Sequence, residues 1–419
     1  MTGPARASAA CAVALFAASF MLRVPLARTW SALGVLDQHD VLFDADTVTY
    51  LQAFGDGDMR DRLWRTHPNV RNLVNPPVRL AAAVAARVRG GWTPQQARRK
   101  AALLVAPAAA GAITAAVFLT LRLLGASLAA AMLGALVEMC SFSGLVFGSI
   151  PESYPLSGAA LAAAFVLLAE AARGRDRLRI VPWVLVASTA FGITTTNLAL
   201  VGIPLYFAAS CALGSRIRAI AATAGVLLLS AGLAVLELVA INAAYGEWLP
   251  RRKLERTDSF LAPRVVETLR SFPEAVVSTV LPDRPAVVAN EIGLRRDYPI
   301  KLGFAVEGGP QGIASKLLRG SVVAGFLLLG ALQLARLGTG PPVLWAALGV
   351  LAFNLVLHSV YRGPDLLLYS MHWHAALAVV IGAAAMAPRR SAAALLAGAV
   401  ALNNASVLWW MLRTLRAMS

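Results

Sequence analysis

The sequence predicts an all-α, polytopic membrane protein of about eleven transmembrane helices with outer interfacial helices. Three observations carry this. Of the 419 residues, 58% are hydrophobic and only 14% charged, at a mean hydropathy of +0.66, which is too apolar for a surface that faces water all round. Apolar runs of roughly 17 to 25 residues, the length that crosses about 30 Å of hydrocarbon, recur along the chain. Two hydrophilic segments, 28–100 and 242–316, interrupt them, and each is too long for a simple turn.

The net charge of +16 does not point to nucleic acid. The arginines stand in short clusters between apolar stretches, as topology signals and contacts to anionic membrane lipid do, and no nucleic-acid partner is expected. Cys11, Cys140 and Cys211 all lie inside apolar runs without metal or redox spacing, so no disulfide framework is expected.

The elements follow in order. Arg6 before the run Ser8–Leu22 has the outline of a signal peptide, but no small-residue cleavage site follows and the apolar character resumes at Val24, so 8–27 reads as a retained first span. In the segment 28–100, "DADTVTYLQAF" reads as a helix from about Asp44 with Ala45, Val48, Leu51 and Phe54 on one stripe and Asp46, Thr49 and Tyr50 on another. Residues 73–89 read as an interfacial helix, since Pro76, Pro77 and Arg79 interrupt a run too short to cross. Spans are then expected near 101–121, 128–148, 156–172, 180–199, 201–213 and 219–241, and after 242–316 near 317–335, 343–360, 371–387 and 391–411.

This gives a membrane module over 1–241, a hydrophilic loop over 242–316 and C-terminal membrane helices over 317–419. With this count the clusters Arg173 to Arg179, Arg216 with Arg218, and Arg389 with Arg390 share one side, the cytoplasm. Both long segments, "GSIPESYPLS" (148–157) and "YRGPDLLLYS" (361–370) then face outward.

Candidate site residues lie on that outer side. Asp44 and Asp46 stand beyond the first span, and either could cap a helix as well as do chemistry. His67, before a proline, and Arg71 and Arg79 nearby could hold a phosphate, since guanidinium groups form forked bonds to its oxygens. Pro151 suits the first turn of a helix and so places Glu152 at a helix N-terminus. Thr194 to Asn197 could bond sugar hydroxyls or only their own helix carbonyls. "HSVYRGPDLLLYSMHWHAAL" gathers His358, Tyr361, Arg362, Asp365, Tyr369, His372 and His374. His372 and His374 do not share a helical face, so zinc is not expected; a phosphate clamp at Arg362 with aromatic neighbours, or a lipid headgroup contact, is.

Taken together these motifs resemble the GT-C superfamily of membrane glycosyltransferases, in its protein O-mannosyltransferase-like and aminoarabinose-transferase-like branch. The matching stretches are "DADTVTYL", "HPNVRNLVNPPVRLAAAVAARV", "ESYPL" and the series Gly192, Asn197, Pro204. Thr47 stands where a paired acid would follow Asp46, and the apolar run after the His-Pro element is missing.

The resemblance implies inverting transfer of a sugar from a polyprenyl-phosphate-linked donor to a hydroxyl of a glycan, lipid or protein acceptor. Asp46 would be the general base, with Asp44 as the alternative and Glu152 as the second acid. His67, Arg71, Arg79, Tyr154, Asn197, Arg362, Tyr369 and His372 would bind the donor. A divalent cation between Asp46 and Glu152 stays open, two carboxylates being a thin ligand set. The expected place is a multi-pass integral protein of a bacterial inner or plasma membrane with the active site outward. The other class open to the sequence is a transporter or lipid flippase, for which Glu138 and Glu237 are the main ionisable residues inside spans, with Arg23 nearer an end.

Overall fold

Within a bilayer the backbone has no water to bond, so apolar runs satisfy their N–H and C=O groups internally as helices. The computed structural model describes residues 3–38, 41–43, 45–55, 69–174, 178–244, 265–289, 300–303, 313–360, 366–387 and 390–418. Within them the α-helices are α1 (Gly3–Ala32), α2 (Thr47–Gly55), α3 (Asn75–Arg89), α4 (Pro94–Ala102), α5 (Val105–Leu123), α6 (Leu128–Cys140), α7 (Phe142–Val146) and α8 (Tyr154–Ala172). They continue with α9 (Ile180–Ile193), α10 (Asn197–Leu213), α11 (Arg216–Ala244), α12 (Val265–Val280), α13 (Ile313–Arg336), α14 (Pro341–Val360), α15 (Met371–Ala383) and α16 (Arg390–Met418).

Every predicted apolar run is helical, but the count of eleven spans is not what the structure carries. Among the described residues eight stretches are long and apolar enough to cross a membrane, or nine if the bent pair Leu128–Cys140 and Phe142–Ser149 is one span. That pair is bent by 66°. Ser141 causes the break: its backbone is extended and its hydroxyl accepts from the Gly144 N–H, so it ends one helix and caps the next. The runs at 180–199 and 201–213 give helices of 14 and 17 residues, short of the roughly 20 a span needs.

The stretch Leu366–Met386 is the centre of the bundle, 89% of its most apolar window being buried. It is packed on all sides, and α6 crosses it where Gly134 faces Gly382, a Cβ on Gly134 coming within 2.9 Å of the Gly382 Cα. Arg216–Ala240, 22% buried, instead turns most of its leucines and valines outward, as a lipid-facing helix does.

The two hydrophilic segments come together at one end. Strands β1 (Ala286–Ala289) and β2 (Ile300–Gly303) pair antiparallel, Val287 opposite Leu302. Leu42 from the first segment adds a parallel bridge to Leu302, with Phe43 N–H to Leu302 O and Leu302 N–H to Val41 O both 2.8 Å. The fold therefore has a small strand element that an all-α reading omits. Phe43 makes the turn with φ +54°, a left-handed conformation rare for an aromatic residue.

The helix expected from Asp44 begins at Thr47. Leu51 and Phe54 are buried as predicted, but so is Tyr50, at 7% exposure, so Tyr50 shares the buried side of α2. Helix α3 matches the short helix read at 73–89. Pro76 and Pro77 stand in its first turn, where their missing N–H costs nothing. Val78 and Ala82 are buried while Leu80, Val84 and Val88 are exposed.

Candidate functional site

Asp46 stands immediately before α2, and its carbonyl accepts from Tyr50 N–H at 3.1 Å. Its side chain is exposed. Glu152 lies in the link between the bent segment ending at Ser149 and α8. The first-turn proline of α8 is Pro155, not Pro151, because the helix starts at Tyr154. Glu152 therefore stands two residues before the first helical residue, outside the cap Ser153.

The two acids are joined through backbone. Glu152 Oε1 accepts from the Asp46 N–H at 3.1 Å and Oε2 from the Ser153 N–H at 2.7 Å. Burial, at 2% exposure, holds the Glu152 carboxyl well above the usual carboxylate range, and the nearby Asp46 charge adds to this against the two N–H donors. Asp46 meets water while Glu152 does not. Similar carboxyls in different surroundings are suited to different roles.

Tyr50 extends the cluster. It is hydrogen-bonded to the Ser153 side chain and lies within electrostatic reach of Glu152, Asp46 and Tyr369. Burial first, then the Glu152 charge, keeps its phenol protonated well beyond the ordinary tyrosine range. Tyr154 and Tyr369 meet edge to face at 5.3 Å. His372 lies 5.4 Å from the Tyr154 ring and 6.0 Å from that of Tyr369.

His358, at the end of α14, completes this ring set, 4.5 Å from Tyr369. Helix α12 holds it there: the Thr268 hydroxyl donates to the His358 carbonyl at 3.1 Å, and Phe272 packs on Trp373 at 5.2 Å. Both imidazoles are buried, at 4% and 2% exposure, and none of their four ring nitrogens has a hydrogen-bond partner among the described residues. Each neutral imidazole carries one donor and one acceptor, and leaving them unmet costs about 1 to 3 kcal/mol per group.

The predicted residues thus divide. Asp46, Glu152, Tyr154, Tyr369 and His372 converge, with Tyr50, Ser153 and His358 added. Asn197 is buried elsewhere, its amide donating to Ser157 Oγ at 2.8 Å and to the Ala190 carbonyl at 3.1 Å, which ties α8, α9 and α10 together. Arg79 is exposed on α3, and no described hydrogen bond or ion pair joins it to the cluster. Asp44, His67, Arg362 and the Arg71 side chain lie outside the described residues. Among the described residues there is no group of three His, Cys, Asp or Glu that could hold a metal, and each Glu152 oxygen accepts one backbone N–H. A cavity of about 640 Å³ between α1, α5, α8 and α9 is lined by residues such as Phe16, Leu119 and Leu185 and includes none of the site residues.

The Glu152 shift gives a stability prediction. A carboxyl raised in the folded state holds its proton more tightly there than in the unfolded chain. The stability it contributes is complete below the unfolded value of about 4.3 and is lost as pH rises through the raised one. Melting temperature in detergent is expected to fall across that window, and Glu152→Gln to remove this part of the slope. Superimposable pH profiles for the two proteins would contradict the assignment.

The arrangement can present one exposed carboxylate beside a buried acid, aromatic faces and two imidazoles whose ring nitrogens meet no partner among the described residues, at one end of a helical bundle. Compared with family models, with curated proteins and with solved structures, the chain matches none.

Proposed function

We propose that the chain is a membrane glycosyltransferase that moves a sugar from a polyprenyl-phosphate-linked donor to a hydroxyl of a glycan, lipid or protein acceptor, with inversion. The observation that carries this reading is the convergence of exposed Asp46, buried Glu152 and the Tyr154, Tyr369, His358 and His372 rings. Asp46 takes the proton of the acceptor hydroxyl as its oxygen attacks the anomeric carbon. The bond from that carbon to the phosphate oxygen breaks, and polyprenyl phosphate departs with the electron pair. The imidazole nitrogens suit the charge that grows on the leaving phosphate, and tyrosine rings suit the apolar face of a sugar.

The same bundle supports the expected orientation. Glu237, near the site end of α11, accepts from Asn72 beside α3, so Arg216 and Arg218 at the start of that helix lie about 30 Å away. Arg173 follows α8, whose other end carries Tyr154. With the arginine-rich end cytoplasmic, the site faces outward from a plasma or bacterial inner membrane.

A second reading, a transporter, is favoured by one observation: Arg23, Glu138 and His374 form an ionisable set buried at membrane depth. The experiment that separates the readings is turnover in vesicles supplied with a panel of sugar-linked polyprenyl phosphates. Appearance of free polyprenyl phosphate is the expected result. No release from any donor, together with a proton-coupled flux that Glu138→Gln abolishes, would replace the transferase reading with the transporter.

A further inference from the structure

Beneath the outer cluster the bundle holds a set of polar groups that the transfer chemistry does not use. Arg23 is fully buried and stands nine residues before the end of α1, about 13 Å down its axis. Its Nε donates to the Gly144 carbonyl at 2.6 Å, Nη2 to the Met139 carbonyl at 3.2 Å, and Nη1 to the Ser19 carbonyl at 3.3 Å and to the Ser19 hydroxyl. Nη2 is also 3.7 Å from Glu138 Oε1. The space for this guanidinium is made by glycine: a Cβ on Gly144 would lie 2.9 Å from Arg23 Nη2, and one on Gly148 would lie 2.7 Å from Nε.

Glu138 is equally enclosed, at 1% exposure. The Thr114 hydroxyl donates to Oε2, and His374 Nε2 is 3.1 Å from Oε1. Ser141 Oγ lies 3.3 Å from the same His374 nitrogen and donates to the Glu138 carbonyl at 2.6 Å. Both carboxylate oxygens have partners.

Each arm of this set leads to one half of the outer cluster. Gly144 belongs to the bent segment that runs on through Ser149 to Glu152 and Ser153. His374 is in the first turn of α15, two residues beyond His372. Ser143 and Ser370 cross-link the same two segments, Oγ to Oγ at 2.6 Å.

We propose that Arg23 and Glu138 are positioning residues: a buried ionic clasp that sets the spacing between the Glu152 turn and the Tyr369–His372 turn, an inference that rests on the transferase reading for its catalytic consequence. A buried ion pair is a poor source of stability, since well-packed apolar groups of the same volume often do as well or better. What a guanidinium adds is direction, because its planar fork fixes several acceptors at once where an ammonium or an apolar side chain fixes none. Here it fixes three backbone carbonyls from α1, α6 and the bent segment.

The test uses the full chain in nanodiscs, with the double variant Arg23→Met, Glu138→Met and the single variant Arg23→Lys. The double variant is expected to keep a melting temperature close to that of the parent, because no charge is left buried alone. Amide hydrogen exchange in 142–153 and 366–374 is expected to rise while the rest of the chain stays protected, and kcat to fall about tenfold to a hundredfold, the effect of a misplacement on the order of 1 Å. Arg23→Lys keeps the charge but not the fork and is expected to show the same local exchange, which serves if the double variant does not fold. Parent-like exchange in both segments of either folded variant overturns the proposal, whatever the activity. Raised exchange with parent-like kcat also overturns it. If the parent transfers no sugar, the transferase reading fails by itself, and the exchange pattern still decides whether the clasp holds the two turns.

Discussion

Asp46→Asn is expected to abolish the proposed sugar transfer and to leave the fold unchanged. Loss of a positioned general base lowers kcat by about 10²- to 10⁴-fold, and asparagine has nearly the size and shape of aspartate without its basicity. The fold is expected to survive because the described tie from residue 46 to Glu152 runs through the backbone N–H, which the substitution keeps, and because the side chain is exposed. The measurement is release of polyprenyl phosphate at saturating donor, alongside the melting temperature. Unchanged turnover with an intact fold removes Asp46 from the mechanism.

Arg23→Met alone is expected to destabilise the molecule far more than the paired replacement does. Removing one partner leaves the Glu138 carboxyl fully enclosed without its counter-ion, and breaking a buried pair in this way costs about 3 to 5 kcal/mol. Three backbone carbonyls lose their guanidinium donor at the same time. Thr114 and His374 still reach Glu138, so part of its hydrogen bonding survives. Thermal unfolding of the single and the double variant in nanodiscs reads this directly. An Arg23→Met protein as stable as the parent would show that the pair contributes nothing.

Much of the architecture was legible because hydropathy is a property of long runs, which local detail does not erase. All the apolar runs are helices. The break at Ser141 escaped because a single capping hydroxyl scarcely changes the average over the run 128–148. The break between α9 and α10 escaped because apolarity carries past the last helical residue of α9 across Thr194 to Thr196, so the run 180–199 overran α9 and the run 201–213 began after the true start of α10 at Asn197. The start of α2 moved from Asp44 to Thr47 because the 3.6-residue period cannot distinguish a residue in the first turn from one that precedes it.

The site was legible in its residue types and only partly in its connections. Asp46 and Glu152 stand out by charge in an apolar chain, Tyr369 and His372 by their place in an outer loop and its flanking helix end, and Tyr154 only through the resemblance carried by "ESYPL". The bond that joins the two acids comes from a backbone N–H, which leaves no signature in side-chain spacing. Pairing of Leu42 with Leu302 joins residues far apart in the chain and was equally hidden. Arg23 reads as the edge of a span when taken alone, since one charge in an apolar run usually marks an interface. Only the glycines at 144 and 148, which make room for its guanidinium, could have suggested burial, and glycine has too many other uses in membrane helices to be read that way from sequence.

The most direct test of the account is the anomeric configuration of the transferred sugar, followed by NMR on the product formed from a donor of known configuration. A single displacement at Asp46 predicts a product of inverted configuration, formed in equal amount with free polyprenyl phosphate and lost in Asp46→Asn. A product of retained configuration, or one that Asp46→Asn forms at the parent's rate, would contradict it.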